Sequence, residues 1–251
     1  MADTDASTTT IPPVLDAPPL QQRRPTWPTW FEILVCSGYP TQLAIGSGLI
    51  AAGIQPTNAG GQFNGGFVFA LSLIDTVVLL GLIVLFLRRR QERPTDVFFG
   101  GRPWIPELAS GVLSFPLVII VVILMTVTIR SFIPLLHNVA DNPLEGLAGN
   151  QTSIWPFLFV VIVGGGVREE LQRAFLLHRF RHDLGQPLMG LLITSLAFGS
   201  GHYIQGYDAM IITATLGAIW GAMYLTRRSA LASMASHSLF NGGQLLLLFL
   251  R

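Results

Sequence analysis

Seven stretches of this chain are apolar for long enough to approach the thickness of a lipid bilayer, and nothing else in the sequence constrains the fold as tightly. A spanning helix needs about 20 mostly apolar residues, because backbone polar groups inside hydrocarbon find partners only in each other. The stretches run over about 30–54, 67–87, 108–129, 154–177, 188–203, 209–225 and 231–250. Pro40 and several Gly and Ser residues interrupt the first, and a tight polar turn joins the short fifth and sixth. Composition agrees: 51% of residues are hydrophobic and 12% charged, where an ordinary soluble domain carries about 25% charged residues. Too few charges remain to cover a soluble globule, and a formal charge of +1 excludes a nucleic-acid binder. The expected fold class is all-α, a polytopic membrane protein of about seven transmembrane helices.

Arginine placement gives an orientation. Arg23 and Arg24 precede the first stretch, Arg88, Arg89, Arg90, Arg93 and Arg102 lie between the second and third, Arg179 and Arg181 follow the fourth, and Arg227 and Arg228 follow the sixth. With seven alternating segments all of these fall on one side, and the other receives Arg130 and Arg251. The positive-inside rule then puts the N-terminus in the cytoplasm, with the plasma (inner) membrane as the expected location. Residues 1–25 read as a disordered cytoplasmic tail without the features of a cleavable signal peptide, and 26–251 as the membrane domain. The stretch 95–106 reads as an interfacial cytoplasmic loop and 131–153 as the longest external loop. Asn150-Gln151-Thr152 matches a glycosylation acceptor, and chance is the better reading outside a eukaryotic host. Cys36 is the single cysteine and reads as a small apolar residue of the first segment.

Ionisable residues inside membrane segments are costly and are functional candidates by default. The fourth segment carries Glu169, Glu170 and Arg173, the fifth His202, and the seventh His237 and Asn241. Asp75 in the second reads as a structural hydrogen-bonding residue, and Glu32 lies near enough to the surface to be solvated. Glu169 and Arg173 are i and i+4, and Glu170 and Arg173 are i and i+3, so either glutamate can meet the arginine. Neighbouring glutamates point about 100° apart on a helix and can hold different jobs. Glu170 and His202 stand at equal counts from the breaker Gly185-Gln186-Pro187, each roughly 22 Å along its helix. His237 lies about 13 Å of helix beyond Arg228. The three groups therefore converge near mid-bilayer. Structural hydrogen bonding explains one isolated histidine better than it explains two glutamates, two histidines and an asparagine at matched depth. Gly164, Gly165 and Gly166 allow close helix approach or a local break, and Gly217 and Gly221 mark a packing face.

The residues Glu169-Glu170-Leu171-Gln172-Arg173, Phe198-Gly199-Ser200-Gly201-His202 and His237-Ser238-Leu239-Phe240-Asn241, in that order, resemble the motifs of the CPBP family of intramembrane proteases, also called the CAAX protease and bacteriocin-processing or Abi family. The resemblance covers about residues 155–250, so the motif-bearing core is the C-terminal four-segment part. One departure matters: the usual first motif is Glu-Glu-x-x-x-Arg, whereas Arg173 comes one residue early and Ala174 takes its place.

The resemblance implies an intramembrane endopeptidase that hydrolyses peptide bonds of membrane-associated or CAAX-like substrates. It implies Glu169 as the base that activates water, His202 assisting it, His237 and Asn241 as the oxyanion hole, and Glu170 as a supporting carboxylate. Arg173 and Phe198 complete the motifs. A metal-independent mechanism is favoured, with zinc held by Glu169, His202 and His237 as the alternative. Expected partners are a membrane protein or peptide substrate and the lipid bilayer, with no nucleic acid. Two other classes compete: a small membrane transporter, and a non-catalytic immunity or scaffold protein, to which the shifted arginine gives its best support.

Overall fold

The computed structural model describes residues 27–140 and 154–250. The 1–25 tail, the acceptor sequence at 150–152 and most of the outer loop lie outside the described residues. The rest is helical, with no β-strand among the described residues.

The apolar stretches become helical rods, but the rods are not uniform. The first is broken into α1 (Trp27–Val35) and α2 (Tyr39–Ala51), bent by 48°. The break follows from Gly38, whose φ of +90° only glycine adopts readily, and from Pro40, which opens α2 without needing an N–H donor. Helix α3 (Gly65–Arg89) is capped by the Asn64 side chain, which accepts from the Gly66 N–H, and ends on Arg88 and Arg89. Residues 94–99 form a short helix, α4 (Pro94–Phe99), whose Val97 and Phe98 are buried, so the expected interfacial loop is docked to the bundle. Tyr224 donates to the Val97 carbonyl at 3.0 Å. The long α5 (Trp104–Phe132) follows.

The fourth rod is a composite: α6 (Trp155–Val160), a π-helical segment (Val161–Arg168) and α7 (Glu169–His182). Then come α8 (Pro187–Ser200), α9 (Tyr207–Arg227) and α10 (Leu231–Phe249). Helices α3, α5 and α9 are long and apolar enough to span a bilayer, and the bent α1–α2 pair makes a fourth candidate. Helix α8 is short. The composite rod and α10 carry the polar residues of the site. Helix α7 can afford this polarity because its neighbours enclose it: every residue from Gln172 to Phe180 is buried. Leu79, Ile83, Leu87, Phe175, Leu177 and Tyr224 form the main core around it. The outer surface of α5 instead exposes Leu113, Leu117, Ile120, Leu124 and Val127. A continuous apolar face of that kind suits lipid and not water.

At one end of the bundle an ion-pair network ties three elements together. Arg90 Nε donates to Glu32 Oε1 at 2.8 Å, and its Nη1 donates to Asp183 Oδ2 at 2.5 Å. Arg179 Nε donates to Glu32 Oε2 at 2.7 Å, and its Nη1 to Glu92 Oε2 at 2.6 Å. Glu32 is therefore buried and not solvated, and Arg179 and Asp183 face inward and not into water. The reason is mutual pairing: charges withdrawn from solvent persist only with opposite partners. Burial pushes the Glu92 carboxyl up, but His178 and Arg179 beside it outweigh this and lower it to about 2. At the opposite end, His137 Nδ1 lies 2.8 Å and Arg130 Nε 3.6 Å from Asp208 Oδ2. The two ends match an alternating path for the chain.

Candidate active site

The site is set by the π-helical segment. Its wider turn advances the chain by an extra residue, which fixes the direction in which Glu169 and Glu170 leave the next turn. The glycines make this geometry accessible to a neighbour. A Cβ on Gly166 would collide with Ser238, and one on Gly165 with the Asn241 amide, so α10 packs directly on the glycine backbone. Close helix approach, one of the two alternatives the triple glycine suggests, is present; in place of a local break the rod runs on through the π-helical segment.

Glu170 points into the protein. It is fully buried; its Oε1 accepts from Arg173 Nη1 and lies 2.9 Å from His237 Nδ1. Arg173 is also boxed in by aromatic rings, with its guanidinium carbon 4.5 Å from the Phe198 ring centre and 5.9 Å from that of Trp220. The His237 ring stacks on Trp220 at 3.8 Å and 16°. Its orientation is thus fixed by a stacked face on one side and a carboxylate on one nitrogen. The other nitrogen, Nε2, lies 3.8 Å from Glu169 Oε2.

Glu169 points the other way, into a cavity of about 300 Å³ that Asn241, Gly164, Gly165, Arg168, Asp75 and Gln42 also line. Asn241 Nδ2 rests 3.4 Å from the Val161 carbonyl. The structure therefore brings Glu169, Glu170, Arg173, His237 and Asn241 into one neighbourhood. His202 stands apart from the glutamates. Helix α8 ends at Ser200, so His202 sits on the following turn, with Nδ1 2.9 Å from the Phe198 carbonyl and its ring 5.0 Å from the Phe198 ring. It makes no hydrogen bond or ion pair with either glutamate. Phe198 links the two histidines, since its ring also lies 5.9 Å from that of His237. The zinc alternative fits this arrangement poorly: Glu169, His202 and His237 do not converge, and among the described residues no three His, Cys, Asp or Glu side chains can hold a metal ion.

Two cavity residues, Arg168 and Gln42, carry no role in the sequence reading, and Asp75, read as a structural hydrogen-bonding residue, lines the cavity with them. Asp75 accepts from Thr41 Oγ1 at 2.6 Å and Gln42 Nε2 at 3.4 Å. Arg168 donates through Nη2 to Asp75 Oδ2, and its Nη1 lies 3.9 Å from Glu169 Oε1. The signal for Arg168 was its charge inside an apolar stretch, the same that marks Glu169. Nothing in the sequence singles out Gln42. Gly217 and Gly221 pack against Phe198 and Leu191, as a small-residue helix face does.

This is an all-α integral membrane protein whose C-terminal half carries the glutamates, His237 and Asn241, with Gln42 and Asp75 of the N-terminal half closing the cavity. Residues 150–243 match the family model for Rce1-like type II CAAX prenyl endopeptidases, which is the CAAX protease resemblance carried by the three motifs. No curated protein and no solved structure matches the chain.

Proposed function

We propose that this protein is an intramembrane endopeptidase of the CAAX type, acting on peptide bonds of membrane-associated or CAAX-like substrates through water activated by Glu169. The observation that carries the reading is the divergence of the glutamate pair. Glu170 is saturated on one oxygen by Arg173 and His237, whereas Glu169 stands in the cavity with His237 Nε2 3.8 Å away. A separation above 3.5 Å between two polar groups suits a bridging water, which is where the nucleophile belongs.

The base takes a proton from that water as its oxygen attacks the scissile carbonyl carbon. The carbonyl oxygen becomes an oxyanion and needs preorganised donors. Glu170 on Nδ1 and the stacked Trp220 ring hold the His237 ring with Nε2 towards Glu169, where it is one donor. Asn241 Nδ2, at the cavity wall, is the second donor. Glu169 then returns the proton to the leaving amine. The assisting role for His202 requires its ring to approach Glu169 with substrate in place. The segment that carries it follows the end of α8 at Ser200 and leads into a 3-10 turn, Tyr203–Gln205. No metal enters this scheme. We place the protein in the plasma membrane with its N-terminal end cytoplasmic, on the arginine asymmetry.

The test is cleavage of a panel of membrane peptides, including ones ending in a CAAX sequence, by purified protein in detergent or liposomes. Wild type should cleave and Glu169→Gln should not. Uptake of solute by liposomes without any cleavage would overturn the reading.

A further inference from the structure

Each glutamate of the pair has its own arginine, and the two arginines are held differently. Arg173 is committed to Glu170. Arg168 is shared: one guanidinium nitrogen is bound by Asp75, another stands 3.9 Å from Glu169, and Nε has no hydrogen-bond partner among the described residues. Arg168 and Asp75 are both buried side chains that border the cavity. A lone guanidinium beside a carboxylate at low dielectric closes into a bidentate pair. Here it does not close: Arg168 and Glu169 are neighbours on the helix and leave it in different directions, and Asp75 holds the guanidinium on its own side.

We propose that Asp75 and Arg168 form a positioning pair for Glu169. Asp75 holds the guanidinium beside the base but not on it, so that Glu169 stays free to take a proton from water. The surroundings are built for this arrangement. Asp75 is itself pinned by Thr41 Oγ1 at 2.6 Å and by Gln42, both from α2. The chain reaches Asp75 there because of the break between α1 and α2. A Cβ on Gly38 would stand 3.2 Å from Arg168 Nη2, so the positive φ and the missing side chain leave the guanidinium its place. Three elements, α2, α3 and the π-helical segment, thus meet on one arginine next to the base.

This inference rests on Glu169 being the base, and the experiment separates the two. In Asp75→Asn the guanidinium has Glu169 as its nearest anion and should close on it. The expected result is a fall in kcat of at least about tenfold, since general-base catalysis is worth roughly 10²–10⁴, with KM changed by less than about threefold. Adding Arg168→Gln to that variant removes the competing cation and should restore kcat to within about tenfold of wild type. A purely structural pair predicts the reverse: a double variant no better than Asp75→Asn. Should Asp75→Asn not elute as folded protein, Thr41→Val, which loosens Asp75 without removing it, should lower kcat by a smaller factor. A wild type that cleaves while folded Asp75→Asn or Thr41→Val keeps the same kcat overturns the pair's role alone, as does a double variant that recovers nothing. A wild type that cleaves no peptide overturns the protease reading and this role with it.

Discussion

Arg173 holds Glu170 and leaves Glu169 to the cavity. The arginine stands one residue early relative to the usual motif, and at i+3 from Glu170 it still lies on that residue's side of the helix. The Arg173–Glu170 pair therefore forms although the spacing is shifted.

The two glutamates should fail in different ways when neutralised. Glu169→Gln should abolish cleavage, a loss of roughly 10²–10⁴, while the protein keeps its melting temperature. Glu170→Gln removes the partner of a buried arginine, which costs about 3–5 kcal/mol when nothing replaces it. Its melting temperature in detergent should drop, and activity should fall with it. Thermal unfolding measured beside kcat checks both, and a Glu170→Gln protein as stable as wild type would contradict the assignment.

Asn241→Ala should leave a folded enzyme with kcat reduced roughly 10²–10³, the usual effect of losing one oxyanion donor. KM should hardly change, because the donor acts on charge that develops in the transition state. A rise in KM with unchanged kcat would make Asn241 a substrate-binding residue instead.

Much of this was legible in the sequence, and the exceptions share a cause. The apolar stretches located the rods, and the intramembrane polar residues located Glu169, Glu170, His237 and Asn241. Local pattern does not state which partner a charge finds. Glu32 reads as solvated because it lies near the end of an apolar stretch, yet it is bonded to Arg179 inside the bundle. The triple glycine announced a departure from regular packing but not its form, since residues without side chains suit a π turn and a close approach alike. His202 read as helical because the apolar stretch continues to it, whereas the helix ends at Ser200. Arg168 belongs to no motif and was visible only as a charge out of place.

Acid should loosen the ion-pair network through Glu92. Its carboxyl is lowered from 4.5 to about 2 by His178 and Arg179 against the opposing effect of burial. A depressed folded-state value means the stabilisation is complete above the ordinary value and is lost as pH falls through the window from 4.5 towards 2. The melting temperature of wild type should decline across that window more steeply than that of Glu92→Gln, whose residue 92 no longer titrates. Parallel curves for the two proteins would show that Glu92 contributes nothing to the network.

The topology is open to cysteine labelling, because the native Cys36 is fully buried and should give little background. Cysteines placed at the exposed positions Arg89 and Leu135, at opposite ends of the bundle, should react from opposite faces of the membrane, with position 89 on the cytoplasmic side. Reaction of both with an impermeant reagent from one face would overturn the alternating path.

Chelation gives the last prediction, and it bears on mechanism independently of any substitution. A catalytic zinc site takes three protein ligands about 2 Å from the ion and keeps one open position. Glu169 and His237 approach that requirement, but His202, the third candidate ligand, is turned to the Phe198 carbonyl and does not join them. A strong chelator should therefore leave the cleavage rate of wild type unchanged, and elemental analysis of active protein should find well under one zinc per chain. The His202→Ala variant offers an internal control: if His202 only assists Glu169, its loss lowers kcat without altering sensitivity to chelator. Stoichiometric zinc, together with reversible loss of activity on chelation, would show that the residues rearrange around a metal and that Glu169 serves as a ligand and not as the base.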